Sequence, residues 1–240
     1  MGTLLDVRNL ETRFKVRKGF VYAVNGVSFS LDKGEMLGVV GESGCGKSTL
    51  LEVIGLLLTP SRVGRFEMEF SDATPAVVNI ARLLAANDQA ALAAIRAARI
   101  GFMLQSGGLL PFLTVRDNIR LPCQLLGIAE DERLLTRAIQ TLKLAGLLHK
   151  KPAQLSIGER QRVAFVRAVA HRPKLLLADE PTASLDPHTA RLLFALFIEL
   201  VQEWGIAALV ASHDWGLVKT FGLPCLKANL TQGETHFAFS

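Results

Sequence analysis

The stretch Gly41-Glu42-Ser43-Gly44-Cys45-Gly46-Lys47-Ser48 decides how this chain folds and what it can hold. It satisfies the pattern G-x-x-x-x-G-K-(S/T) in full. On one side lies the β-like apolar run Met36 to Val40; on the other, Leu50, Leu51, Val53, Ile54 and Leu57 recur at helical spacing. Strand, glycine loop and helix in that order make an anion cradle. Glycines let the backbone curl with successive N–H groups pointing inward, the helix N-terminus adds positive potential, and Lys47 supplies a point charge for the outer phosphates of a nucleotide. Ser48 offers a hydroxyl to Mg²⁺, and Thr49 completes the expected phosphate-binding set of Gly41, Glu42, Ser43, Gly44, Cys45, Gly46, Lys47 and Ser48. A glycine-rich turn alone can be structural, but the lysine, the hydroxyl residue and the strand-helix context together favour nucleotide binding.

A phosphate loop needs a carboxylate to position its metal. Leu175-Leu176-Leu177-Ala178-Asp179-Glu180 provides one at the end of a second apolar run. Successive residues of an extended chain point to opposite faces, so two adjacent acids can serve separate tasks. Asp179 is expected on the metal side and Glu180 beside the attacking water as general base. Two solvated acids ending a strand are the bland alternative.

The whole chain, 240 residues with 50% hydrophobic and 20% charged composition, can bury a sizeable core, which argues against disorder. Its longest apolar runs, such as Ile206 to Ala211, fall far short of the roughly 20 residues that cross a bilayer. The first residues show no basic region followed by an apolar run, so a cytosolic location is expected. Cys45, Cys123 and Cys225 are widely spaced and read as reduced thiols, without a disulfide or zinc pattern. The formal net charge of +5 suits phosphates or an anionic surface. No basic cluster interleaved with aromatics is present, and nucleic acid is not expected as a partner.

Along the chain, strands are expected at Leu4 to Leu10, Phe20 to Val24, Ser28 to Leu31 and Met36 to Val40. Residues 81–150 read as alanine- and leucine-rich helical segments broken by Pro111 and Pro122. Leu135, Ala138, Ile139 and Leu142 share one face of a helix from about Asp131 to Ala145. Beyond the run at Leu175, a helix around Ala190 to Trp204 precedes a strand from Ile206 to Ala211. This is α/β alternation flanking a helical insert.

Further motifs join these two. Leu155-Ser156-Ile157-Gly158-Glu159-Arg160-Gln161-Arg162 lies ahead of Asp179-Glu180-Pro181-Thr182 and Ala183-Ser184-Leu185-Asp186; Gln105 follows Ile100-Gly101-Phe102-Met103-Leu104; Ser212-His213-Asp214 ends the last apolar run. Together they resemble the ATP-binding subunits of ABC transporters, over nearly the whole chain. The resemblance implies an α/β phosphate-loop nucleotidase core with an antiparallel β subdomain and a helical subdomain carrying the signature. The core would comprise residues 1–80 and 171–240, and the helical part residues 81–170. It implies ATP and Mg²⁺ as cofactors, with Ser48, Gln105 and Asp179 on the metal and Lys47, Glu180 and His213 in catalysis. Phe14 sits where the family places a ring under adenine, with Phe20 and Tyr22 as alternatives. Ser156 and Gly158, at a helix start fit for an anion, would reach nucleotide held by the loop of a second copy, so that two chains sandwich two ATP molecules head to tail.

The resemblance also implies separate transmembrane permease subunits, docking near Gln105 to Leu121, a peripheral place on the cytoplasmic face of the bacterial inner membrane, and a periplasmic adaptor or binding protein as a further partner. The segment Leu109-Leu110-Pro111-Phe112-Leu113-Thr114-Val115-Arg116-Asp117-Asn118-Ile119 looks like the lipoprotein-release and macrolide-export branch, whereas Ala23-Val24-Asn25-Gly26-Val27-Ser28-Phe29 looks like oligopeptide importers. A non-transport ABC ATPase is the other alternative. Ile157 departs from the family pattern by replacing the first glycine of the signature pair.

Overall fold

Apolar runs without polar interruption are stable as strands only where helices cover both faces, and the central sheet is built on that rule. The structure, a computed structural model, describes residues 2–17, 19–70, 77–183 and 185–239. In chain order its elements are β1 (Thr3–Val16), β2 (Gly19–Asp32), β3 (Met36–Val40), α1 (Lys47–Ile54), β4 (Arg65–Glu69), β5 (Val77–Asn79), α2 (Ile80–Ala85), α3 (Gln89–Arg99), β6 (Ile100–Met103), α4 (Val115–Leu126), α5 (Glu132–Thr141), α6 (Ile157–Val169), β7 (Leu175–Asp179), α7 (Pro187–Glu203), β8 (Ala207–Ser212), α8 (Trp215–Thr220), β9 (Cys225–Thr231) and β10 (Glu234–Phe239).

One sheet runs in the order β5-β4-β1-β2-β10-β9-β3-β8-β7-β6. From β9 to β6 it is parallel, while β5, β4, β1 and β2 form an antiparallel half. Every residue of β3, β7 and β8 is buried. Alternation then divides them between two cores. Leu176, Ala178, Ala208 and Val210 pack with Phe165 of α6 and Phe194 and Phe197 of α7. Leu175, Leu177, Ala207, Leu209 and Ala211 pack with Leu50, Leu51 and Ile54 of α1 and the inner faces of β1 and β2. Each buried leucine, isoleucine, valine or phenylalanine among them contributes roughly 1.5–3 kcal/mol, more than a typical surface ion pair, so the two cores rather than surface charges hold the sheet.

The register sets the site. Val40 lies opposite Ser212, Ala211 opposite Asp179, and Ala178 opposite Met103. The C-terminal ends of β3, β8, β7 and β6 are therefore level, and whatever follows them shares one edge.

Several expectations need correction. The two strands expected at Phe20 to Val24 and Ser28 to Leu31 are one strand, β2. The pairing steps from Leu10↔Val27 to Thr12↔Val24, and the extra residue is absorbed at Asn25-Gly26, where Gly26 has φ +66°. Pro122 does not break a helix but lies inside α4. It forfeits one backbone hydrogen bond, while buried Val115, Ile119 and Cys123 anchor one face and Thr114 caps the start by accepting from the Asp117 N–H at 3.2 Å. Helix α5 starts after its cap Asp131 and stops at Thr141, because Lys143 takes φ +54°. Helix α7 starts earlier than Ala190, with Asp186 as cap and Pro187 in the first turn. The segment 81–170 is not wholly a helical layer: α2, α3 and β6 contribute Ile80, Leu92 and Ile100 to the α1 core, and β6 pairs with β7. The helical layer proper is α4 to α6.

Strand β6 meets α6 at Gly101, where a Cβ atom would stand 2.1 Å from the carbonyl oxygen of Ala168. Gly101→Ala should therefore lower stability by about 1–3 kcal/mol or more, as overpacking against backbone does. Urea unfolding checks this: the midpoint falls with little change in slope, and an unchanged midpoint would contradict so close an approach.

Candidate active site

The loop after β3 closes over a small cleft of about 210 Å³ lined by Ala23, Ser43, Gly44, Gly46, Lys47, Ser48, Thr49, Gln105 and Glu180. Gly44 and Gly46 both have φ +80°, and a Cβ on Gly46 would stand 1.9 Å from the carbonyl oxygen of Ala23. Only glycine fits there, and that contact ties the loop to β2. Helix α1 begins at Lys47, after Gly46 as N-cap, with no side-chain cap and no acid in its first turn. Its leading N–H groups are thus free to face an anion.

Lys47 is buried, and its ammonium donates to the carbonyls of Gly41 at 2.9 Å and Glu42 at 2.8 Å. It also stands 3.5 Å from the Glu180 carboxylate, whose other oxygen contacts Nδ1 of His213. The level ends of β3, β7 and β8 thus bring Lys47, Glu180 and His213 into one chain of contacts. Cys45, buried within the loop, has its thiol pushed up by desolvation.

The two acids do not separate by strand alternation as expected. Strand β7 ends at Asp179, and Glu180 takes φ +50°, with its N–H donating to Ala211 O at 3.0 Å. A non-glycine residue in that region costs roughly 1–2 kcal/mol, offset by the pairing with β8. The backbone turn aims Glu180 at Lys47 and His213 and leaves Asp179 toward Ser48. Burial raises the Asp179 carboxyl above the ordinary range, Glu180 adds to this, and hydrogen bonding from Ser48 and the charge of Lys47 oppose it. One Asp179 oxygen, Oδ1, is buried without a hydrogen-bond partner. An orphaned carboxylate oxygen on a residue hydrogen-bonded to Ser48, which lines the cleft together with the exposed Gln105, makes a donor set that suits a hard cation.

Other expected site residues lie outside this cleft. Ser156 caps α6, accepting from the Glu159 N–H at 3.2 Å while the Glu159 carboxylate accepts from the Ser156 N–H at 2.7 Å. That reciprocal box holds the Glu159 carboxyl below its usual range and leaves the N–H groups of Ile157 and Gly158 uncommitted to it. Ile157 is 47% exposed. Neither Ser156 nor Gly158 lines the cleft around Lys47. Phe14 is exposed opposite Val21 and does not line it either. The alternatives Phe20 and Tyr22 are engaged by the Arg13 guanidinium, 4.5 and 6.0 Å from their ring centroids. Ser184 lies outside the described residues. Sequence reasoning missed Ala23, which acts through its backbone carbonyl and so leaves no side-chain signal.

The sequence model of the family described as ABC transporter matches residues 24–183. The chain is 36% identical over 218 residues to the lipoprotein-releasing system ATP-binding protein LolD 2 of Caulobacter vibrioides, covering 90% of each. It is 35% identical over 220 residues to the methionine import ATP-binding protein MetN 1 of Burkholderia pseudomallei, covering 90% of this chain and 60% of that protein. Among solved structures it is similar to the dimeric ATP-binding cassette MJ0796 bound to ADP and Pi, with a TM-score of 0.80, 30% identity and 98% of both chains covered.

A carboxyl raised by burial sets the sign of a pH effect. Stability linked to Asp179 is present below its unfolded value, near 3.9, and is lost as pH rises through the folded value. Asp179→Asn should accordingly unfold at higher urea than the native chain at pH 7, the difference closing as the pH falls toward 4. ATP hydrolysis should meanwhile drop by about 10–100-fold. A lower midpoint at pH 7 would show that the carboxylate is stabilised where it lies.

Proposed function

Because this chain belongs to the ABC transporter family, we propose that it hydrolyses MgATP at a head-to-tail interface of two copies to drive transport by separate transmembrane subunits. The observation that carries the reading is the convergence of Lys47, Asp179, Glu180 and His213 at the level ends of three parallel strands, beside an uncapped helix N-terminus.

In this reading the N–H groups of the loop from Gly41 to Ser48 hold the phosphates, and the Lys47 ammonium exchanges its loop carbonyls for phosphate oxygens. Ser48, Asp179 and Gln105 would hold Mg²⁺, which supplies charge neutralisation on the phosphates. Glu180 accepts the proton of the attacking water, and His213, in contact with Glu180, orients that carboxylate toward the outer phosphate. The signature of the second copy closes the site through the Ser156 hydroxyl and the N–H groups of Ile157 and Gly158. The separation of Ser156 from the cleft around Lys47 supports the second copy, since one chain then lacks half of the donors. Phe14, whose ring is exposed, is the proposed platform for adenine.

For direction and cargo, the likeness to a lipoprotein-releasing ATP-binding protein over nine-tenths of both chains favours extraction or export of a lipoprotein or related amphiphile. The methionine-import relatives keep import as the second reading. Among the described residues no helix is long and apolar enough to cross a membrane, so a peripheral place on permease subunits is proposed. Phe112, 68% exposed just ahead of α4, lies within the proposed docking segment Gln105 to Leu121.

Glu180→Gln keeps the shape of the side chain and removes its proton acceptance. It should bind ATP, hydrolyse it on the order of a hundredfold more slowly, and run as a dimer on gel filtration with MgATP. Full activity, or a monomer under all nucleotide conditions, would reject the assignment. Ile157 sits in the first helical turn, where isoleucine tolerates helical backbone angles. Ile157→Gly should therefore change turnover by less than about tenfold, the factor of 1.4 kcal/mol; a much larger gain would mark the natural signature as impaired.

A further inference from the structure

Two side chains of α6 reach the loop that follows β6 and hold it by its backbone. Gln161 is buried, and its Nε2 donates to the carbonyl of Gln105 at 2.8 Å. Arg167 spreads its guanidinium over the next carbonyls, donating from Nη1 to Gly108 O at 2.7 Å and from Nη2 to Gly107 O at 3.0 Å. Gly107 and Gly108 have φ +75° and +58°, a left-handed pair that turns both carbonyls toward one fork. A Cβ on Gly108 would stand 3.3 Å from that guanidinium and 2.9 Å from Leu104.

The chemistry of these contacts is unusual for simple packing. Arg167 is desolvated enough to lower its pKa, and its guanidinium donates to two backbone carbonyls rather than to a carboxylate. Gln161 leaves its own Oε1 buried without a partner. A core that needed only cohesion would be better served by apolar residues at both positions. What the pair accomplishes is to fix three carbonyls between residues 105 and 108 to the helix that Ser156 caps.

We infer that Gln161 and Arg167 are positioning residues for Gln105: they fasten its loop to α6, so that Gln105 is presented to the nucleotide cleft as a passenger of that helix. The inference rests on the proposed two-copy site. It explains why the polar pair, six residues apart, lies along the body of α6 rather than at its exposed signature end. Neither residue lines the cleft around Lys47; each acts through the backbone of the loop.

The test uses two full-length variants that are each inactive alone. Ser156→Arg spoils the signature and Lys47→Ala spoils the loop. In a mixed dimer one site is intact, with Lys47 and Gln105 from the first variant and Ser156 from the second, so mixing should restore turnover. Arg167→Lys, which keeps the cation but cannot fork across two carbonyls, is then added to either copy. In the copy that supplies Gln105 it should lower the restored turnover by about tenfold; in the copy that supplies only Ser156 it should leave it within twofold. Equal losses from both placements would mean that Arg167 merely supports α6, and would overturn the inference. Failure of the two inactive variants to complement would instead reject the two-copy reading.

Amide hydrogen exchange on the single chain decides the inference independently of the dimer. In Arg167→Lys and in Gln161→Leu, residues 104–109 should exchange faster while α6 keeps its protection. Gln161→Leu also removes the unpaired Oε1, so its melting temperature should hold or rise even as turnover falls. Unchanged exchange in that loop would overturn the proposal.

Discussion

The in-register parallel pairing of β3, β8 and β7 is the constraint on which the rest of the molecule depends. Each strand is buried on both faces, so its backbone groups can be satisfied only by its neighbours, and a slip would exchange the residues offered to the two cores. Because the register is held in this way, Val40, Ser212 and Asp179 end at one level. The loops beyond them have no freedom to drift apart, and three sequence-distant segments meet at one cleft.

That cleft carries several local costs to stability. Gly46 meets the Ala23 carbonyl too closely for any side chain, Glu180 occupies the left-handed region, and Asp179 keeps a buried oxygen without a partner. Lys47 satisfies its ammonium on loop carbonyls and on Glu180. Each of these costs is tolerable because the hydrophobic layers on both sides of the sheet are large. Of these, the unpartnered Asp179 oxygen is what a cation in the proposed site would relieve, by supplying a positive partner. Strain of this kind is expected where a site is organised for a ligand rather than for the folded chain alone.

Helix α6 links the two halves of the proposed site. Its first turn is stabilised by the reciprocal hydrogen bonds of Ser156 and Glu159, its middle is buried by Val163, Phe165 and Val166, and Phe165 stacks on Phe197 of α7 with centroids 4.1 Å apart. A helix so embedded moves as a unit with whatever is fastened to it. The hydrogen bonds from Gln161 and Arg167 fasten the Gln105 loop, so contact at the signature end and placement of Gln105 share one rigid element.

Much of this was legible in the residues themselves. The phosphate loop, the acid pair after Ala178, the run leading to His213 and the capped start at Ser156 are short-range patterns whose meaning follows from spacing along the chain, and the family likeness rests on the same residues. Even unpredicted β4 carried a signal in the alternation of buried Phe66 and Met68. Tertiary structure alone decided the remainder. It merged two expected strands through a bulge at Gly26, carried α4 through Pro122, placed β6 in the sheet rather than in a helical insert, turned Glu180 out of the strand, and fastened the Gln105 loop to α6. The physical reason is common to all of these. A motif is recognised by groups a few residues apart, whereas a bulge, a tolerated proline or a positive φ is stabilised by partners tens of residues away, and those partners become neighbours only when the sheet and its two cores have formed.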